Sequence, residues 1–214
     1  MTSVVEDALN AQGDHANGNI PIASSMKPET SRAADAPSEA RIRCESLKNK
    51  ALKSPTVKFL LDALKAEGCP VQPSFFICDP CTGYSEISGG FDPNAGIVLC
   101  ENSLPHGQQQ ADRAVAHELI HVFDHCRAKV DWTDCRHHAC SEIRAANLSG
   151  DCHWWQEFQR GNFGISAQHQ RCVKRRALLS LAMNPNCTAE QSVKAVDDVW
   201  DICFKDHYPF DDIP

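Results

Sequence analysis

The spacing of apolar residues divides the chain into a polar beginning and a periodic remainder. Residues 1–40 are rich in Ala, Ser, Pro and Asn, carry six acidic residues and show no apolar periodicity. Such a segment cannot bury enough apolar surface to offset the entropy that is lost when a chain becomes ordered. We therefore predict a disordered acidic N-terminal tail over residues 1–40 and a single folded domain over residues 41–214.

Helical and extended patterns follow one another in the first part of the predicted domain. From residue 41 to Gly68, apolar residues recur at helical spacing, and Ser54-Pro55 interrupts the pattern, which predicts one broken helix or two short helices. The chain up to Cys100 then carries short β-branched and aromatic runs between Gly and Pro residues. These runs predict a small, mostly antiparallel sheet with strands near residues 74–78, 84–89 and 96–100.

Helical periodicity dominates from Gln108 onward. The pattern predicts four further helices, over residues 108–126, 137–160, 167–182 and 188–205. The last of them is the best defined, because Thr188 and Gln191 have the spacing of a capping box. The fold class predicted from these patterns is α+β, with a small sheet followed by a helical region.

The cysteine content adds a constraint on the compartment. The chain has 12 cysteines in 214 residues, which indicates either a disulfide framework or several zinc sites. Only Cys78 and Cys81 form a C-x-x-C pair, and a zinc ribbon requires a second such pair. We therefore expect disulfides. The N-terminus lacks the basic and apolar regions of a secretory signal, and the acidic tail is unlike a matrix presequence. The expected compartment is therefore the mitochondrial intermembrane space.

Charge and hydropathy argue against nucleic-acid binding and against a membrane-spanning segment. The formal net charge is −7, whereas binding to nucleic acid requires a concentrated positive surface. The longest apolar run, ALLSLAM at residues 177–183, is far too short to cross a bilayer. We expect no nucleic-acid partner, and we expect any membrane contact to be peripheral.

The segment AVAHELIHVFDHC, residues 114–126, carries the candidate chemistry. On a helix, His117 and His121 lie within about 40° of each other, so both imidazoles can bind one metal ion, with Glu118 on the adjoining flank. A zinc ion held in this way lowers the pKa of a water molecule, whose proton Glu118 could accept. The alternative is a core helix with two hydrogen-bonded histidines, but burying these polar groups in so apolar a segment without a metal is costly.

A catalytic zinc site requires a third protein ligand, and Glu142 is the candidate. It lies 21 residues beyond His121 and is followed by Ala145 and Ala146, two small residues that would allow close helix packing. Four other residues remain open as competitors: His137, His138, Asp124 and Asp151. Because His137 and His138 are adjacent, at most one of them would face the metal.

The segment from Gly89 to Cys100 lies shortly before the predicted helix over residues 108–126, which carries His117 and His121. A protease holds its substrate in an extended conformation, and an exposed edge strand offers backbone pairing for that purpose. We predict that this segment provides such a strand, the alternative being an internal strand of the same sheet.

Four segments in order, GGFDPNAGIVLC, AVAHELIHVFDHCR, CSEIRAANLSGDC and CFKDHYPFDDIP, resemble the mitochondrial inner-membrane metalloproteases that process the ATP synthase membrane subunit. Some animal members are labelled Ku-binding proteins. The similarity covers roughly residues 43–214. It implies a zincin-like fold with one zinc ion per chain, with His117 and His121 as ligands and Glu118 as catalytic base. Glu142 as third ligand follows from the general zincin pattern.

The resemblance also implies a location and substrates. Family members are zinc endopeptidases of the intermembrane space, peripheral on the inner membrane. They mature the ATP synthase subunit a precursor, assist assembly of the membrane sector, and degrade an intermembrane-space lipid-transfer protein. The alternative function is that of a non-proteolytic assembly chaperone or binding protein with a structural HExxH helix. The acidic charge and the cysteine content disfavour a third function, that of a nuclear DNA-repair partner.

Overall fold

The computed structural model describes residues 36–83, 87–104, 107–152 and 165–214. These residues form six helices, a 3-10 turn at Pro73–Phe75 and three strands. The helices are α1 (Glu39–Ala51), α2 (Pro55–Ala66), α3 (Gln108–Ala128), α4 (Cys135–Leu148), α5 (Ile165–Leu181) and α6 (Ala189–Cys203), and the strands are β1 (Phe76–Asp79), β2 (Gly89–Asp92) and β3 (Gly96–Cys100). No helix among the described residues has the length and apolar character needed to span a membrane. The α+β class predicted from the sequence is confirmed.

The described residues form two compact units that meet in sequence at Lys129 and Val130. The N-terminal unit, up to Lys129, holds α1, α2, the sheet and α3. The C-terminal unit, from Val130, holds α4, α5 and α6. The single domain over residues 41–214 stays a prediction, and residues 1–35 of the predicted tail lie outside the described residues.

The break predicted at Ser54-Pro55 separates two helices. Pro55 is the first residue of α2, a position where its missing N–H and its restricted φ are tolerated. Helix α1 begins at Glu39, two residues before the predicted start, because the side chain of Ser38 caps it and accepts a hydrogen bond from the N–H of Arg41 at 3.0 Å. Leu60 and Leu64 of α2 are fully buried.

The sheet of the N-terminal unit is mixed, so the prediction of a mostly antiparallel sheet is wrong. Its order is β1-β3-β2, in which β3 pairs in parallel with β1 and antiparallel with β2. All five residues of β3 are buried. The most apolar strand takes the central position because there its backbone is paired on both sides and its side chains are covered.

The middle strand lies later in the chain than predicted. Residues 84–86 lie outside the described residues, and residues 87 and 88 are not in a strand. Strand β2 instead starts at Gly89, where a Cβ atom would lie 2.7 Å from the carbonyl oxygen of Val98. The Gly89-Gly90 pair, which indicates a turn in the sequence, is therefore part of the strand because β3 approaches its backbone closely.

Six disulfides join all twelve cysteines, which confirms the prediction of a disulfide-rich protein. The N-terminal unit holds Cys44–Cys78, Cys69–Cys126 and Cys81–Cys100, and the C-terminal unit holds Cys135–Cys187, Cys140–Cys203 and Cys152–Cys172. The two cysteines of the C-x-x-C pair thus have different partners and do not form a zinc site.

Three helices build the core of the C-terminal unit. Ile143 of α4, Val173 of α5 and Val196 of α6 belong to one buried apolar cluster. The capping box of α6 is confirmed, since the N–H of Thr188 donates to Gln191 Oε1 at 2.8 Å and the N–H of Gln191 donates to Thr188 Oγ1 at 3.2 Å.

Helix α4 ends at Leu148, well before the predicted residue 160. Gly150 follows in a left-handed conformation with φ of 82°, which an L side chain rarely adopts and which ends the helical run. Residues 153–160 of the predicted helix lie outside the described residues.

Candidate metal centre

Helix α3 carries the HExxH segment through the interior of the N-terminal unit. Residues 115–124 are all buried, and α3 packs against α1, α2, β2 and β3. An α-helix with apolar residues around most of its circumference is stable only when other elements surround it. The sequence therefore places the two histidines and the glutamate in a segment that the fold must bury.

His117, Glu118 and His121 lie together on this buried segment. Their exposed fractions are 7%, 8% and 5%. The ring centroids of His117 and His121 are 4.9 Å apart, as expected for helix neighbours four residues apart. The structure thus brings together the three residues of the motif, and it places them where polar groups must have partners.

The position of α3 is set at both ends by contacts within the N-terminal unit. Near its start, Gln108 Nε2 donates to the carbonyl oxygen of Leu47 at 3.1 Å. Near its end, Cys126 forms a disulfide with Cys69, the first cysteine after α2. Lys129 then adopts a left-handed conformation with φ of 48° and ends the helix. Cys126 therefore anchors the end of the helix that carries the HExxH segment.

The sheet offers one candidate substrate strand beside α3. Strand β3 is paired on both sides, so the part of the predicted strand at residues 96–100 is internal. Strand β2 pairs with β3 alone among the described residues and packs against α3, with the rings of Phe91 and His125 5.9 Å apart. The edge position predicted for residues 89–100 thus applies to Gly89–Asp92 only.

Glu142, the candidate third ligand, lies on α4 in the C-terminal unit. Its exposed fraction is 5%, and the neighbouring Ala145 and Ala146 are fully buried. One carboxylate oxygen, Oε1, lies 3.3 Å from Nε2 of His138, which is one helical turn earlier on the same face. The side chain is therefore a buried carboxylate held beside an imidazole.

The competing ligand candidates have other partners within their own units. Asp124 accepts from Arg127 Nε at 3.2 Å, and the carboxylate of Asp151 lies 2.9 Å from Arg176 Nη2. His137 is exposed, and its Nδ1 accepts the N–H of Asp131 at 3.1 Å. These contacts explain the three side chains as local structural groups.

The start of α4 is stabilised by a carboxylate. Asp134 caps the helix, and its Oδ1 accepts hydrogen bonds from the N–H groups of Arg136 at 2.8 Å and His137 at 3.4 Å. The hydrogen bond from Arg136 is the largest cause that lowers the pKa of Asp134 below its ordinary value, and the N–H and the charge of His137 act in the same direction. The negative charge of Asp134 also interacts favourably with the partial positive charge at the N-terminus of the helix.

One buried residue that the sequence does not indicate, Asn184, contacts the pair formed by His138 and Glu142. Asn184 is 1% exposed, and its Nδ2 lies 2.9 Å from Nδ1 of His138. It lies in the connection between α5 and α6, in the run Asn184-Pro185-Asn186. Such a run indicates a turn, and nothing in it points to a residue of α4.

The donor chemistry of the candidate ligands fits a catalytic zinc ion. Each of His117, His121 and Glu142 offers one ligand atom that could hold a metal ion. Two imidazole nitrogens and one carboxylate oxygen form the ligand set of many zinc peptidases, in which the fourth position stays open for water and substrate. All three side chains are buried, so a metal would compensate for their desolvation.

Comparison with known proteins identifies the family. The model of the peptidase M76 family matches residues 42–211. The mitochondrial inner membrane protease ATP23 homolog of Homo sapiens is 52% identical over 164 residues, which are 75% of this chain and 65% of the human protein. That of Danio rerio is 52% identical over 164 residues, 75% of this chain and 63% of the relative. The chain thus spans just under two thirds of the length of these two relatives.

A fungal relative matches over almost its whole length. Mitochondrial inner membrane protease ATP23 of Saccharomyces cerevisiae (strain ATCC 204508 / S288c) is 38% identical over 229 residues, which cover 96% of this chain and 99% of the relative. No solved structure matches the chain. The sequence comparisons confirm the resemblance predicted from the four segments, and the chain belongs to the peptidase M76 family, a family of metallopeptidases.

Proposed function

We propose that this protein is a zinc-dependent endopeptidase that binds one zinc ion per chain through His117, His121 and Glu142, with Glu118 as the catalytic base. The observation that carries the proposal is the burial of the complete HExxH motif on α3 in a member of a metallopeptidase family. A helix that served only as structural support would have no need to bury two imidazoles and a carboxylate within one turn.

The residues of the motif have different roles in the proposed reaction. A bound zinc ion supplies Lewis acidity, which polarises a peptide carbonyl and lowers the pKa of water. His117 and His121 bind as neutral imidazoles, and Glu142 contributes a negative charge. Glu118 accepts the proton of the attacking water and returns it to the nitrogen of the leaving amine. Its burial, at 8% exposed, keeps this proton away from bulk solvent.

Strand β2 is the proposed docking strand for the substrate. Its partner among the described residues is β3, on one side, and we propose that an extended peptide adds to the other side by strand addition. The contact between Phe91 and His125 holds β2 against the helix that carries the motif. A peptide bound in this way passes beside α3, which suits cleavage within a chain.

The names of the relatives and the cysteine chemistry support a location. The relatives are named mitochondrial inner membrane proteases, and six disulfides form and persist in an oxidising compartment. We propose that the protein acts in the intermembrane space and associates peripherally with the inner membrane. Its proposed substrates are the ATP synthase subunit a precursor and an intermembrane-space lipid-transfer protein, and it assists assembly of the ATP synthase membrane sector.

The test of the peptidase is the Glu118→Gln variant of the oxidised full-length chain. Glutamine preserves the shape of the side chain and removes its proton-accepting charge. We expect unchanged zinc content and an unchanged circular dichroism spectrum, with loss of precursor cleavage. The control is Glu39→Gln, which makes the same chemical change at an exposed position in the first turn of α1. A Glu118→Gln protein that cleaves at the parental rate would exclude the proposed base.

The third ligand is tested separately by Glu142→Ala. Loss of a ligand from a three-residue zinc site is expected to reduce the zinc bound per chain, measured by atomic emission on dialysed protein. Unchanged stoichiometry with a correctly folded protein would transfer the role to His137, His138 or an aspartate. If Glu118→Gln restores ATP synthase assembly in cells without restoring cleavage, the non-proteolytic role accounts for assembly.

A further inference from the structure

Three polar side chains of the C-terminal unit, Asn184, His138 and Glu142, contact one another in sequence. Asn184 is 1% exposed and contacts His138, and His138 in turn contacts the carboxylate of Glu142. Buried polar side chains are retained at a cost in desolvation, so such a series of contacts calls for an explanation.

The backbone determines which way the amide of Asn184 points. Its Nδ2 donates to the carbonyl oxygen of Trp132 at 3.0 Å, and its Oδ1 accepts the N–H of Asn186 at 3.0 Å. A carbonyl can only accept and a backbone N–H can only donate, so the nitrogen and the oxygen of the amide are assigned without ambiguity. The second hydrogen of Nδ2 therefore points to Nδ1 of His138, 2.9 Å away.

This assignment determines the tautomer of His138. Because Nδ1 receives a hydrogen bond, it carries no proton, and the proton of the neutral ring is on Nε2. Nε2, which carries this proton, lies 3.3 Å from Oε1 of Glu142. The ring plane is also held by Trp132, whose ring lies edge-on at a centroid distance of 5.7 Å.

We infer that His138 is a positioning residue for the third zinc ligand, and that Asn184 sets its tautomer. The contact between Nε2 of His138 and Oε1 of Glu142 holds the carboxylate and orients it before the metal arrives. Partners of this kind orient metal ligands and commonly change metal affinity by about 10- to 100-fold. The inference rests on the proposed role of Glu142 as a ligand. It also gives His138, a competitor for that role, a different one.

Zinc affinity of the oxidised full-length protein tests the inference, measured by competition with a chromogenic chelator. We expect His138→Ala to weaken Zn²⁺ binding by about 10- to 100-fold while one ion still binds per chain. His138→Gln places an amide N–H where Nε2–H was and should recover most of the affinity. The matched control is His137→Ala, the adjacent histidine on the same helix, which is exposed and should leave the affinity within about twofold of the parental value.

A second measurement does not depend on zinc. Nitrogen-15 NMR of the metal-free protein should show His138 protonated at Nε2 and not at Nδ1, and Asn184→Asp should place a proton on Nδ1 because a carboxylate accepts rather than donates. An Nδ1–H tautomer in the parental protein would overturn the inference, and so would a His138→Gln protein as weak as His138→Ala.

The design separates this inference from the proposed ligand set. If Glu142→Ala loses zinc and His138→Ala binds it with parental affinity, the ligand set stands and the positioning role is wrong. If Glu142→Ala and His138→Ala both keep parental affinity, Glu142 is not a ligand and the inference fails with it. In the Glu142→Gln background, His138→Ala should cause no further loss, because His138 acts through Glu142. A further tenfold loss there would make His138 a ligand itself and overturn the positioning role.

Discussion

The disulfide between Cys69 and Cys126 links the end of the HExxH helix to the segment that directly follows α2. We predict that replacing both cysteines by serine destabilises the N-terminal unit chiefly through loss of the covalent constraint on the unfolded chain. Both cysteines are only partly buried, so little packing is lost with their sulfur atoms. The perturbation therefore isolates the effect of loop closure.

The size of the effect follows from the length of the closed loop. The direct loop spans 57 residues. The Cys81–Cys100 bond shortens the path, because 12 residues separate Cys69 from Cys81 and 26 separate Cys100 from Cys126, 38 in all. A loop of either length corresponds to a loss of about 4 kcal/mol in the free energy of unfolding.

Native-state hydrogen exchange of the slowest amides in α2 and α3 measures this loss within the N-terminal unit. The single variants Cys69→Ser and Cys126→Ser, each with its free thiol alkylated, are the matched controls because either substitution breaks the same bond. Each single variant should lose as much stability as the double variant. A double variant that loses less than about 1 kcal/mol, or single losses that add up to the double, would refute the loop-closure reasoning.

Two further predictions concern helix starts in the C-terminal unit. The folded state lowers the pKa of Asp134. The stabilisation of α4 by this carboxylate is therefore present above the pKa of the unfolded chain and is lost as the pH falls through the lower folded value. Between about pH 5 and pH 2, the urea midpoint of Asp134→Asn should fall less than that of the parental protein. Thr188→Ala removes the capping box of α6 and should cost about 1 kcal/mol in urea unfolding followed by tryptophan fluorescence, whereas Thr188→Ser, which retains the hydroxyl, should stay within a few tenths of a kcal/mol. A Thr188→Ser protein as unstable as Thr188→Ala would contradict the capping account.

Local signals allowed several elements to be predicted from the sequence. The start of α6 at Thr188 depends on a hydrogen-bond pattern between residues three apart, and the division between α1 and α2 depends on Pro55. The burial of His117 and His121 follows from the apolar residues on either side of them in α3. In each case the deciding interactions join residues within one or two helical turns.

Interactions between distant residues decided the elements that the sequence did not predict. The parallel pairing of β1 with β3 matches Phe76 with Ile97, and no local pattern specifies which neighbour a strand will take. Gly89 lies in a strand because the backbone of β3 approaches it, and the contact of Asn184 with His138 spans 46 residues. Hydrophobic period and turn chemistry carry no information about such long-range partners.

The division of the disulfides between the two units has a consequence for oxidative folding. All bonds formed by the first six cysteines, from Cys44 to Cys126, stay among those six, and the same holds for the last six. Twelve cysteines allow on the order of ten thousand complete pairings, but two separate sets of six allow only about 225 combinations. A chain that emerges from its N-terminus into an oxidising space can therefore finish its first covalent framework before Cys135 arrives, so mispairing is limited by the order of arrival.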